Sequence, residues 1–360
     1  MSNFTKTNNS GLIQRLFLKG SAPYLAEAGL LGSDSLPYLM LNMPFLCNYR
    51  CLKCCNLRAE PELKSERRHI SNKDIQGLIE EAGKSGFKVL VLAGEGEPSL
   101  HKEFKNIVTL ASRNGLLPYI FTNGSLLDAE TIHFLAEHRA VLIISLDSIQ
   151  PLRYSRLTGG KGNVEKALSN IEQCRSVYSS LQEQSSFGKI VSLAINTVAT
   201  QINIDEIKDI KHMCSDDIVF VCNRPTRIGL AEENWLSLYG HDTVVGGVDG
   251  ILDKLSARNG PLGTTPDGKW CAYMKHGVSV GYDGSFLACA YATDTAGWFG
   301  NYKEGLLKQI NQGIMNSVKS FYEKFGHSRC VLRHPNYQEW IISSSNENRA
   351  SKPNVVSEIV

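Results

Sequence analysis

At 360 residues the chain is long enough for one large domain, or for one with a smaller companion. Its 38 basic and 36 acidic residues leave a net charge of +2, so nothing electrostatic asks for nucleic acid or another polyanion as a partner. No stretch approaches the roughly 20 apolar residues of a membrane span, and near the N-terminus Leu16, Phe17 and Leu18 run straight into Lys19 and Gly20 with no signal-like apolar core. A soluble, cytoplasmic protein with no membrane partner is expected. In that compartment ten cysteines point away from stable disulfides and toward metal binding or catalysis.

In chain order, residues 1–10 are polar and read as a frayed end. Apolar, β-branched runs predict strands at 38–43, 87–94, 117–122, 140–147, 189–198 and 217–222. Helical patterns fall near 71–84, 101–114, 127–138, 163–177 and 203–213. Ser71 with Asp74 forms a helix-start pair, and Asn114-Gly115 is a stop. Six strands alternating with helices predict a parallel sheet of right-handed crossovers, either doubly wound or curved into a barrel. Functional residues are then expected just past the C-terminal ends of the strands. The alternation stops near residue 225. Residues 226–268 are rich in Gly, Asp and Asn and read as a linker with short helices, 269–335 as a compact cysteine-containing segment, and 343–360 as a disordered tail.

Directly after the first strand comes 47-CNYRCLKCC-55. Cys47, Cys51 and Cys54 form CX3CX2C, a loop short enough to turn three thiolates toward one point, and soft sulfur ligands suit iron-sulfur clusters and zinc alike. Tetrahedral zinc sites favour a fourth protein ligand, and here only Cys55 is at hand.

This spacing, after the first strand of a (β/α)6 array, resembles that of radical S-adenosylmethionine (radical SAM) enzymes. The resemblance implies a partial TIM-type barrel over 39–225, in which Cys47, Cys51 and Cys54 hold a 4Fe-4S cluster. Its fourth iron stays open to the amino and carboxylate groups of S-adenosylmethionine (SAM). Reduction of the bound SAM by one electron would release methionine and a 5'-deoxyadenosyl radical that abstracts a substrate hydrogen. Further along, 93-AGEGEPSL-100 resembles the family's GGEP motif, with Gly96, Glu97 and Pro98 aligned and Glu95 departing from the usual Gly. Likewise 121-FTNGSLL-127, containing Asn123, resembles its TNG loop, and Ser145-Leu146-Asp147 its ribose-contacting segment. In 154-YSRLTGGKGN-163, Arg156 is expected near the SAM carboxylate, while Asn196 and Val198 fall where the family packs adenine.

A second constellation joins Cys271, Gly284, Cys289 and Cys330. Asp283-Gly284 reads as a hairpin turn that brings Cys271 and Cys289 together across two strands. The CX12GX4C segment resembles the auxiliary-cluster extension called SPASM or twitch, a small α+β unit placed within 226–342, and the shorter twitch form fits because the further cysteine run of full SPASM domains is absent. It implies an auxiliary 4Fe-4S cluster on Cys271, Cys289 and Cys330, with a non-cysteine residue, the substrate, Cys222 or Cys214 as fourth ligand; a structural zinc site stays open. Cys55 reads as a bystander, and Cys174 and Cys214 read as core residues. The histidines show no convergent spacing.

The implied function is a radical SAM oxidoreductase acting on a small cyclitol- or sugar-like metabolite. Maturation of a ribosomally made peptide is the alternative, and a non-catalytic zinc-binding module the alternative of another class. Beside a small-molecule or peptide substrate, the implied partner is a reductant such as a flavodoxin or ferredoxin.

Overall fold

The computed structural model describes residues 15–32, 36–43, 46–55, 69–94, 96–223, 226–240, 272–287 and 298–302. The core is the predicted alternation: β2 (Tyr38–Met43), α2 (Asn72–Lys84), β3 (Val89–Gly94), α3 (Phe104–Arg113), β4 (Leu117–Thr122), α4 (Ala129–Glu137), β5 (Val141–Ser145), α5 (Pro151–Leu157), α6 (Val164–Tyr178), β8 (Leu193–Val198), α7 (Ile207–Cys214) and β9 (Val219–Asn223). The six strands pair in parallel in the order β2-β3-β4-β5-β8-β9, as crossover connections require. Helix boundaries follow local chemistry. Ser71 Oγ accepts from the Asp74 amide at 3.2 Å to open α2, and α3 stops at Asn114 before Gly115, whose φ of +74° suits glycine.

Side-chain alternation splits each strand between two cores. In β5, Leu142 and Ile144 meet the helices, whereas Val141 and Ile143 face the concave side with Tyr38, Val91, Tyr119, Ala194 and Val221. Helices on one face and a filled hollow on the other make this a mixed α/β fold of the partial TIM-type barrel.

The hollow is filled from the N-terminal side, which the sequence reading did not anticipate. β1 (Leu16–Leu18) and α1 (Ala22–Glu27) send Leu18, Ala22 and Leu25 into the concave core, and Tyr38 Oη donates to the Gly20 carbonyl at 3.0 Å. Expected strand 189–198 is in fact two. β7 (Gly188–Val191) pairs with β1 and with β6 (Glu183–Ser185) in a small second sheet, and Ser192 separates it from β8. Both halves are apolar and β-branched, so periodicity alone could not place the break.

The stretch read as a linker with short helices starts with two of them. α8 (Leu230–Glu233) and α9 (Trp235–Tyr239) bury Leu230, Ala231, Leu238 and Tyr239, and Tyr239 Oη donates to the Ala199 carbonyl at 3.0 Å. Residues 226–240 are therefore packed on the core rather than strung beyond it. After α10 (Ala272–Lys275), the predicted hairpin is present as β10 (Gly277–Val280) and β11 (Ser285–Leu287), followed by β12 (Trp298–Asn301). β10 pairs in parallel with β2, so these strands extend the barrel sheet at its first edge and leave β2 paired on both sides. Cys271, Cys289 and Cys330, together with residues 1–10 and 343–360, lie outside the described residues. Among the described residues no helix is long and apolar enough to cross a membrane.

Leu25→Ala tests whether the plug belongs to the cooperative core. At 2% exposure its truncation is expected to cost about 2–5 kcal/mol in urea unfolding; a loss under about 0.5 kcal/mol would show the plug to be dispensable.

Candidate functional site

Level parallel strands bring their C-terminal loops together at one mouth. The loop after β2 is held there by its backbone: the Arg50 and Leu52 amides donate to the Thr158 and Leu157 carbonyls at 3.3 and 3.0 Å, and the Ala231 amide donates to the Cys54 carbonyl at 3.0 Å. Within the loop the Cys54 amide donates to the Cys51 carbonyl at 3.0 Å. Gly159, at φ +68°, lies so close beneath that a Cβ there would sit 2.3 Å from the Arg50 carbonyl oxygen. Tyr49 is buried and in hydrogen-bonding contact with Tyr154 and Ser125.

Cys47, Cys51, Cys54 and Cys55 are half-buried. Burial pushes the Cys47 thiol up to about 11; Glu97 and Cys54 add to the rise, while the Tyr49 amide and the Asn123 side chain oppose it. Burial also raises Cys51, with Cys54, Asp147 and Cys47 adding to the rise and Lys53 opposing it. The three thiols of CX3CX2C thus lie within electrostatic range of one another. Yet among the described residues no three His, Cys, Asp or Glu side chains converge as they would on a single ion. Zinc bonds of about 2.3 Å in a tetrahedron need sulfurs about 3.8 Å apart. In a 4Fe-4S core each thiolate would have its own iron, so three neighbouring soft donors fit it without converging on one point.

Glu97, 3% exposed, is the hub of the next two loops. Its Oε1 accepts from Thr122 Oγ1 and Ser99 Oγ, each at 2.6 Å, and Oε2 accepts from the Asn123 amide at 2.7 Å. Its own amide donates to the Leu46 carbonyl at 2.7 Å, tying this turn to the cysteine loop. Half-buried Gly96 precedes it, and buried Pro98 opens a short 3-10 turn after it. Asn123 Nδ2 donates to Asn48 Oδ1 at 2.9 Å, and Asn48 Nδ2 donates to Ser125 Oγ at 2.8 Å.

Ser145 ends β5 on its concave face, in register with Asn196 of β8, whose Oδ1 accepts from Asn223 Nδ2 at 2.7 Å. Half-buried Val198 ends β8. Asp147, 3% exposed, is pinned there: its Oδ1 accepts from the Val198 amide at 2.9 Å, and its carboxylate lies 2.6 Å from Lys53 Nζ. Cys222, at the end of β9, has its thiol raised to about 12, chiefly by burial and next by Asp147. Cys174 and Cys214 are buried core residues, as expected. Arg156 is exposed on α5.

The structure thus gathers Cys47, Cys51, Cys54, Glu97, Asn123 and Asp147 at one mouth, with Ser145 and Val198 at the ends of neighbouring strands. Sequence reasoning missed Asn48, Thr122, Lys53 and Asn223. For Asn223 a signal existed, since it is an amide at the inward-facing end of an otherwise apolar strand.

Residues 41–182 match the radical SAM superfamily. Fe-coproporphyrin III synthase of Methanosarcina barkeri is 29% identical over 143 residues, 39% of this chain and 35% of that protein. GTP 3',8-cyclase of Stenotrophomonas maltophilia is 32% identical over 127 residues, 35% of this chain and 38% of the cyclase. The chain therefore spans little more than a third of these relatives. Among solved structures, Streptococcus suis SuiB bound to S-adenosylmethionine superposes with a TM-score of 0.61 at 16% identity, covering 86% of this chain and 76% of SuiB. Native anSMEcpe with bound AdoMet superposes with a TM-score of 0.53 at 16% identity, covering 88% and 97%. Over residues 41–182, where the cysteine loop and the first strand-end motifs lie, the chain carries a domain of the radical SAM superfamily.

Proposed function

We propose that Cys47, Cys51 and Cys54 hold the superfamily's 4Fe-4S cluster, that SAM binds beside it, and that a substrate hydrogen is abstracted at the barrel mouth. The observation that carries this reading is the three-thiol loop seated against the strand-end motifs. A cluster bound there supplies the single electron that cleaves SAM to methionine and a 5'-deoxyadenosyl radical. The chain's own residues position and enclose. Glu97 orders the Gly96–Pro98 turn that meets the SAM amino group, and Asn123 steadies Cys47. Ser145 and Val198 flank the adenosine. Arg156 is free to reach the SAM carboxylate, and Asp147 serves the ribose from a carboxylate already shared with Lys53 and the Val198 amide.

For the substrate we favour a peptide over the cyclitol expected from sequence. SuiB is also known bound to its precursor peptide SuiA, with a TM-score of 0.57, and anSMEcpe with the Kp18Cys peptide, at 0.52. The curated relatives act as a cyclase and a porphyrin synthase by name and give cyclitol oxidation no support. The auxiliary cluster on Cys271, Cys289 and Cys330, and the net oxidation it would serve, stay within this proposal, supported by the β10–β11 hairpin between the first two cysteines. So do a cytoplasmic location and a flavodoxin- or ferredoxin-like reductant.

Anaerobic reconstitution is expected to load about eight irons per chain, two clusters of four, and dithionite with SAM should then yield 5'-deoxyadenosine. Replacing Cys47, Cys51 and Cys54 together by Ala should leave about four irons and abolish cleavage. Survival of cleavage would sink the ligand assignment, and a colourless, zinc-loaded wild type would establish the non-catalytic reading. Transfer of deuterium from a labelled cyclitol into 5'-deoxyadenosine would overturn the peptide preference. Gly159→Ala should push the Arg50 carbonyl from its seat and lower the iron retained after gel filtration; unchanged retention would show that the loop does not depend on that contact.

A further inference from the structure

Lys53 lies inside the cysteine loop, between Cys51 and Cys54, and its side chain is only 10% exposed. Its Nζ meets Asp147, whose side chain is 4% exposed, at 2.6 Å. That carboxylate is fixed before Lys53 reaches it: Oδ1 accepts from the Val198 amide at 2.9 Å, and the Asp147 carbonyl accepts from Asn203 Nδ2 at 2.6 Å. The ammonium also lies within electrostatic range of Cys51 and Cys54. An ordinary surface lysine would carry its charge into water; this one is buried against an anchored anion, in the loop that carries the thiols.

We propose that Lys53 is a positioning residue, a buried cation that clamps the cysteine loop to Asp147 and offsets the negative charge of the Cys51 and Cys54 thiolates. The inference rests on these cysteines being cluster ligands. Each thiolate brings one negative charge, and uptake of one electron from an external low-potential reductant adds another. A fixed ammonium nearby favours the more negative state, and the carboxylate behind it opposes that effect. The pair therefore acts in two ways at once: it seats the loop, and it sets the potential at which the electron enters.

The test uses wild type, Lys53→Met, Asp147→Asn and the double variant, each reconstituted anaerobically and reduced stepwise with dithionite without SAM, while EPR follows the reduced cluster. Lys53→Met is expected to move the midpoint potential to more negative values, Asp147→Asn to more positive ones, and the double variant back toward wild type. A merely structural pair would not give opposite signs. Iron loss to a chelator should rise on the order of 10- to 100-fold in either single variant and stay raised in the double. Lys53→Arg, which keeps the charge, should hold both the potential and the iron, and serves if the Met variant does not fold. Shifts of one sign in both single variants, no shift with unchanged iron retention, or an Arg variant that behaves like Met would overturn the proposal. A wild type that takes up no cluster overturns the ligand assignment and this inference with it, an outcome separate from wild type loading normally while the variants fail to differ.

Discussion

An ionised carboxylate removed from water must be paired or hydrogen-bonded, or it destabilises the fold by several kcal/mol. The mouth of this barrel is organised around two of them. Glu97 draws donors from the turn after β3 and the end of β4, namely Ser99, Thr122 and the Asn123 amide. Asp147 draws them from the end of β8 and from the cysteine loop, namely the Val198 amide and Lys53. Five strand-end segments are thereby bound in two groups, the turn after β3 with the end of β4, and the segment after β5 with the end of β8 and the cysteine loop. Removing Lys53 alone would strand the Asp147 anion, a loss on the order of 3–5 kcal/mol. The same bonds that stabilise the mouth hold the cysteine loop ready for its ligand, which is where preorganisation costs least.

Depth in the barrel separates stability from chemistry. Toward the N-terminal ends the concave face is apolar and is filled by Leu18, Ala22 and Leu25 from the N-terminal segment, with Ala272 from beyond the last core strand. Toward the C-terminal ends the inward positions change to Ser145, Asn196 and Asn223. A ligand entering from the mouth therefore meets amides and hydroxyls first and a closed hydrophobic floor beneath. In β5 and β9 this gradient runs within five residues, because alternate side chains point inward and the last of them, Ser145 and Asn223, is polar.

The core strands and helices were legible because their signals are local: β-branched runs, the Ser71 cap, the Asn114-Gly115 stop. The cysteine loop and the strand-end motifs were legible for the same reason. What escaped was pairing. Leu16–Leu18 looked too short to matter until Gly188–Val191 was found beside it, and a partner 170 residues away leaves no periodic trace in three residues. The break at Ser192 was hidden because both sides of it suit a strand. Residues 226–240 looked like linker from the glycine- and aspartate-rich composition of the stretch, yet Leu238 and Tyr239 are buried, and composition does not weigh two anchors against many spacers. Lys53 carried a charge in a loop, which on sequence alone means solvent; only the fold shows an anion waiting for it.

The clustering of the cysteines follows from the turn that joins them. The hydrogen bond from the Cys54 amide to the Cys51 carbonyl closes a four-residue turn, and such turns bring their ends within about 7 Å. Cys51 and Cys54 are thus neighbours by backbone geometry, and Cys47 joins them because Asn48 and Tyr49 are tied to the loop after β4 and to α5. Cys55 follows once the turn has closed, and the Cys54 carbonyl accepts from the Ala231 amide in α8. On the proposed reading, a cluster held by Cys47, Cys51 and Cys54 would keep one iron open to a small molecule at the mouth.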